Sequence, residues 1–139
     1  MSYVALATNA FDAVTKFYGH DLGFPVVEEW DRPTGRGRRF DLLGLRLEIL
    51  DNARERRPLR LGAPADRIHL VVEVSDLDTA CDSFRIGAPP PHVVSWGARL
   101  IEVRDPDGVP VTFLLVRRNE LATAVARTSQ KPQPVPADV

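Results

Sequence analysis

The chain has 139 residues, enough for one compact domain with a buried core. Its 44% apolar and 27% charged residues are those of an ordinary soluble globular protein, and a net charge of -1 gives no general attraction to nucleic acid or to membranes. The single cysteine, Cys81, excludes an internal disulfide and a cysteine-rich zinc site. No charged, apolar and small-residue leader opens the sequence and no apolar run is long enough to cross a bilayer, so a cytoplasmic location is expected.

The first half reads as a strand (2–8), a helix (10–22) and three strands (24–31, 36–43 and 44–50). The helix places Phe11, Val14, Tyr18 and Leu22 on one face. Asn9, with Asp12 three positions on, has the pattern of a helix cap, and Gly23 suits a left-handed helix stop. Pro33-Thr34-Gly35 is turn chemistry between strands. Residues 51–66, rich in Arg and Pro, form a connector. The second half repeats the order: a strand (67–74), a helix (76–85) capped by Ser75 with Asp78, then strands near 91–95, 98–104 and 109–116. Cys81 shares helical spacing with Leu77, Ala80 and Phe84 and reads as a core thiol. Gly87 through Pro91 end the helix, and Asp105-Pro106-Asp107-Gly108 is a hairpin turn. Residues 118–139 begin with a helix-capable piece and end in Lys131-Pro-Gln-Pro-Val-Pro136, read as a largely disordered tail.

The halves are versions of one segment. Tyr3 through Tyr18 matches His69 through Phe84 as an apolar strand, a cap, an acid and an apolar helix face. Gly44-Leu-Arg-Leu-Glu-Ile-Leu50 matches Gly108-Val-Pro-Val-Thr-Phe-Leu114. The fold class expected is α+β: two βαβββ modules (about 1–50 and 67–117) with curved mixed sheets enclosing a central cavity. Alternation along a strand then sorts side chains by face. Leu45, Leu47 and Ile49 oppose Arg46 and Glu48; Leu70, Val72 and Val74 oppose His69, Val71 and Glu73; Val111, Phe113 and Leu115 oppose Thr112. The greasy faces should bury the helices. The other faces bring Tyr3, Arg46, Glu48, His69, Glu73 and Thr112 to a candidate site, in which the internal alignment pairs Tyr3 with His69 and Glu48 with Thr112. Arg is dense at 36, 38 and 39 and again at 54, 56, 57 and 60, read either as solvated loops or as a gate for an anionic ligand.

The Phe17-Tyr18 pair with Leu22-Gly23-Phe24, then Leu47-Glu48, His69 and the run from Trp96-Gly97 to Asp105-Pro-Asp-Gly108, resemble the vicinal oxygen chelate superfamily of glyoxalase I, extradiol dioxygenases and bleomycin resistance proteins. The resemblance covers about 1–117 and implies paired βαβββ modules around a ligand or metal cavity. Metal-dependent members place ligands at four equivalent positions, here Tyr3, Glu48, His69 and Thr112. Only Glu48 and His69 are good ligands, short of the three that a catalytic metal needs, so no cofactor is expected. A divalent metal, if bound, would rest on His69 and Glu48.

Three functions are therefore weighed, two without an enzyme's chemistry. The first is a binder of a small organic molecule, with Trp30, Trp96, Phe40 and Tyr3 as flat walls and Arg46, Glu48, Glu73, His69 and Thr112 as polar groups. The second is a metal-independent or weakly metal-dependent lyase or isomerase with His69 and Glu48 as the catalytic acid–base pair, which requires the two to converge. The third is a structural dimer with a vestigial site. A homodimer is expected, with neither nucleic acid nor membrane as partner.

Overall fold

The computed structural model describes residues 1–62 and 67–116. In chain order they form β1 (Val4–Thr8), α1 (Phe11–Lys16), which runs on into a π-helical turn (Phe17–Asp21), β2 (Val26–Arg32), β3 (Gly35–Leu42), β4 (Leu45–Asp51), a short 3-10 turn (Asn52–Arg54), β5 (Leu70–Val74), α2 (Leu77–Cys81), β6 (His92–Val93), β7 (Arg99–Arg104) and β8 (Pro110–Leu115). The strand orders are β1-β4-β3-β2 and β5-β8-β7-β6, so the duplication read from the sequence is a duplication of topology. In each sheet the first strand pairs in parallel with the last, Val4 beside Leu47 and Leu70 beside Val111, and the remaining pairs are antiparallel. Among the described residues no helix is long and apolar enough to cross a membrane. The expected tail lies outside the described residues, as do residues 63–66 of the connector.

The apolar alternation is realised as expected. Phe11, Val14, Tyr18 and Leu22 are buried together with Leu47, Ile49, Leu70, Val72, Val111 and Phe113 in one continuous core shared by both sheets. Rings close the seam between modules: Phe24 stacks on Phe113 at 5.9 Å between centroids, and Phe84 meets Phe113 edge-on at 5.2 Å. Burying each such side chain contributes about 1.5–3 kcal/mol.

Three hydrogen bonds lock the seam. Gly23, at φ 76°, stops the first helix in the left-handed region, and a Cβ there would lie 2.5 Å from the Ser83 carbonyl oxygen. The close approach lets Ser83 Oγ donate to the Leu22 carbonyl at 2.7 Å and the Arg85 amide donate to the Asp21 carbonyl at 2.7 Å. The buried Tyr18 hydroxyl donates to Asp105 Oδ2 at 2.8 Å, while Asp105 Oδ1 accepts from the Asp107 and Val109 amides, both at 2.9 Å. The turn residue Asp105 thus fixes its own hairpin with one oxygen and the opposite module with the other. Burial, then the Asp105 charge, pushes the Tyr18 phenol above its usual range. Burial also raises the Asp105 carboxyl.

The helix starts differ from the sequence reading. Thr8, not Asn9, accepts from the Ala10 amide (2.9 Å), and α1 has no side-chain cap. Asn9 instead accepts from Asn52 Nδ2 at 2.9 Å, and Asn52 also bonds the Leu59 amide and carbonyl, which ties the connector to the helix start. Asp76, not Ser75, caps α2 through the Asp78 and Thr79 amides and the Thr79 hydroxyl. These contacts, the Thr79 hydroxyl first, hold the Asp76 carboxyl low. α2 ends at Cys81 rather than 85, because the chain must turn to bring Ser83 and Arg85 onto the first module. Cys81 packs partly buried against the core, and its thiol is pushed up by burial and then by Asp78 and Asp82.

Tyr18→Phe leaves Asp105 without its buried donor and should cost about 1–3 kcal/mol. A lower urea midpoint at unchanged slope is the expected result. Because the folded Asp105 carboxyl is raised, its contribution to stability is fully present below the ordinary value of 3.8 and is lost as pH climbs through the folded value. Melting curves of wild type and Asp105→Asn across that window should show the wild type gaining on the variant as pH falls; the opposite trend would contradict the burial argument.

Candidate functional site

The candidate site lies on the far side of each sheet from the shared core. In the first sheet this polar face is built by cross-strand pairs: Arg39 opposite Glu48 and Glu28, Asp41 opposite Arg46, and Gly37 opposite Trp30 and Leu50. Tyr3 stands immediately before β1. In the second sheet the register sets Thr112 between Val71 and Glu102, with Glu73 beside Leu114 and His69 immediately before β5.

Each module joins its own two positions, one taken from each aligned pair. His69 Nε2 lies 2.5 Å from Thr112 Oγ1, and this contact leaves Thr112 buried while His69 stays exposed. Tyr3 and Glu48 meet through Arg39. The Arg39 guanidinium donates from one nitrogen to Glu48 at 2.9 Å and from the other to Glu28 at 2.8 Å, and the Tyr3 ring lies over it at 3.9 Å. Glu48 is thereby buried. The hydrogen bond to Glu48 is the main reason that the Arg39 guanidinium holds its proton more tightly than usual. Arg46 approaches Asp41 at 4.0 Å, and Glu73 is exposed. Of the four equivalent positions, Glu48 is engaged by Arg39 and His69 and Thr112 by each other, while Tyr3 stacks on Arg39 and stays exposed.

The aromatic walls divide. Tyr3 and Trp96 are exposed, Trp96 in the turn closed by the Gly97 amide on the Val94 carbonyl at 3.0 Å. Trp30 lies across Gly37, where a Cβ would come within 2.3 Å of the indole, so only glycine fits beneath the ring. Phe40 is a correction: it is fully buried, tilted against Tyr18 at 6.1 Å, because alternation in β3 sends it and Leu42 to the core.

Arg39 is the residue that the sequence reading missed. Arg36, Arg38 and Arg39 belong to β3 and are paired with acids, so they are neither a loop nor a free anion gate. Arg36 bonds Asp51 at 3.0 Å over the Phe11 ring, and Arg38 bonds Glu29 at 3.0 Å. The signal was available, since the parity of residues 36–43 places Arg39 on the face of Glu48. In the second arginine group, Arg54 pairs with Asp31.

Two cavities lie away from Tyr3, Glu48, His69 and Thr112. One of about 620 Å³ opens along the free edge of β1, lined by Leu6, Val14, Leu59, Leu61, Ile68 and Val109 among others. Another of about 390 Å³ lies between Phe11, Trp30, Arg36 and Arg38. Of the expected site residues only Trp30 touches either. The chemistry-bearing face is instead an open surface, and among the described residues no three His, Cys, Asp or Glu side chains are grouped to hold a metal ion. The donor set does not fit a metal of the superfamily's usual kind, because Glu48 is engaged by a guanidinium.

Comparison with known proteins agrees with this architecture. The family model described as Glyoxalase/Bleomycin resistance protein/Dioxygenase superfamily matches residues 1–113. No curated protein matches the chain. Similar solved structures include a glyoxalase family protein from Enterococcus faecalis (25% identity, TM-score 0.57, covering 82% of this chain and 95% of that one). Lactoylglutathione lyase from Agrobacterium tumefaciens is 22% identical with a TM-score of 0.58, covering 83% of this chain and 92% of that one. TioX from Micromonospora sp. ML1 is 22% identical with a TM-score of 0.62, covering 83% and 98%. By its family match and its two matching four-stranded sheets, the chain belongs to the glyoxalase/bleomycin resistance protein/dioxygenase superfamily, the vicinal oxygen chelate fold.

Proposed function

We propose that this protein binds a small organic molecule against its polar sheet faces without a catalytic metal, and that a second copy of the chain closes over it. The observation that carries the reading is that the donor groups are already engaged within each sheet while Tyr3 and Val71 beside them, and Trp96 in the turn before β7, are open. Tyr3 is 46% exposed, Trp96 44% and Val71 48%. An exposed apolar group on a face that also carries His69, Glu73 and Glu102 suits a ligand with a flat apolar body and a few polar contacts. Such faces also suit self-association, because a single chain leaves each of them uncovered on one side.

An acid–base pairing of His69 with Glu48 draws no support from this geometry, since each side chain is bonded within its own module. A vestigial dimer remains distinct from a binder in one respect: it carries no ligand. Native mass spectrometry of protein purified without chelators, run beside metal analysis, is expected to give an organic adduct on a dimer and less than stoichiometric metal. Stoichiometric metal that His69→Ala removes would sink the metal-free reading, and a dimer without any adduct under competition with candidate aromatic ligands would favour the vestigial module.

The self-association has its own check. Light scattering across a concentration series should give twice the chain mass, and Val71→Arg should shift the population towards monomer while the melting temperature of the monomer is kept. A wild-type monomer at the highest concentration would remove the second copy from the proposal.

A further inference from the structure

The guanidinium of Arg39 is held by more than a surface ion pair requires. It bridges two carboxylates on neighbouring strands, Glu28 of β2 and Glu48 of β4, from its own strand between them. Its side chain is 16% exposed and that of Glu48 8%, so both charges are largely out of water. The Tyr3 ring closes over it at 3.9 Å. Among the described residues its buried Nε has no hydrogen-bond partner, so the group gives up one donor to stay in this place. A residue recruited to bind an anionic ligand would present that donor outward; here the two carboxylates consume the fork and the ring seals it.

Glu48 is one of only two good metal donors at the four equivalent positions of the duplicated fold, and the cation beside it is part of the chain itself. We propose that Arg39 is a built-in cation of this site, occupying the place next to Glu48 that a divalent ion would need and thereby fixing the site as metal-excluding. Two features support this. A divalent ion on Glu48 would have to displace the guanidinium or stand beside it against like-charge repulsion. Removal of Arg39 would leave Glu28 and Glu48 as two uncompensated carboxylates facing one vacated volume, which a small hard cation satisfies. The inference rests on the metal-free reading above but concerns Glu48 alone.

The test is a Mn²⁺ titration followed by the electron paramagnetic resonance of the free ion. Wild type and Arg39→Lys, which keeps the charge, are expected to bind weakly or not at all. Arg39→Met is expected to bind at least about tenfold more tightly, in the range by which neighbouring groups tune metal affinity. Adding Glu48→Gln to Arg39→Met should abolish the gain. An Arg39→Met protein that binds no better than wild type overturns the proposal, as does wild-type Mn²⁺ binding that Glu48→Gln removes. Should Arg39→Met fail to fold, the comparison of wild type with Glu48→Gln decides by that second criterion. Wild-type binding lost in His69→Ala but kept in Glu48→Gln would sink the metal-free reading while supporting a closed Glu48.

Discussion

Neither four-stranded sheet can cover its own apolar face, and everything else in this molecule follows from their sharing one core. Each module brings only a short helix: α1 with its π-helical turn on one side, and the five residues of α2 on the other. Phe24, Phe84 and Phe113 fill the gap that such short helices leave. Once the greasy faces turn to this common layer, the polar faces are forced to its outside. The apolar bookkeeping of the fold therefore decides where the chemistry can be.

On that outside, the two modules have treated their inherited positions differently. The second module couples His69 to the hydroxyl of Thr112, a contact that leaves the imidazole at the surface. The first buries a carboxylate under a guanidinium and a phenol ring. An isolated surface ion pair contributes little, but a pair this deep cannot lose one partner without stranding the other. Pseudo-symmetry of the backbone thus coexists with asymmetry of the polar face, one half open to solvent, the other closed by its own charges.

Much of this was legible in the sequence, because period-two alternation and turn chemistry are local. The repeat predicted two modules, and the strands and both helices occur in the expected order. Leu47, Ile49, Leu70, Val72, Val111 and Phe113 are on the face assigned to them. The failures have physical causes. Asn9 and Ser75 look like caps, but capping depends on where the strand releases the chain: α1 has no side-chain cap, and Asp76 caps α2. Phe40 was read as a ligand wall by residue type, although its strand parity sends it to the core. Arg39 was grouped with its charged neighbours by composition. Its partners Glu28 and Glu48 are distant in sequence, and only the register of β2, β3 and β4 joins them.

The strand order has a consequence for how the chain is made. In each sheet the first strand is hydrogen-bonded only to the last, so during synthesis Val4–Thr8 has no partner until Leu45–Asp51 has emerged. The antiparallel hairpins between them close early because their contacts are local, whereas the parallel pairing pays the loop closure of the whole module. For that interval β1 is a solitary ribbon of apolar residues, and the nearest competent β4 can belong to a neighbouring nascent chain. Fidelity of assembly on a polysome therefore rests on how quickly the fourth strand of each module reaches its own first one.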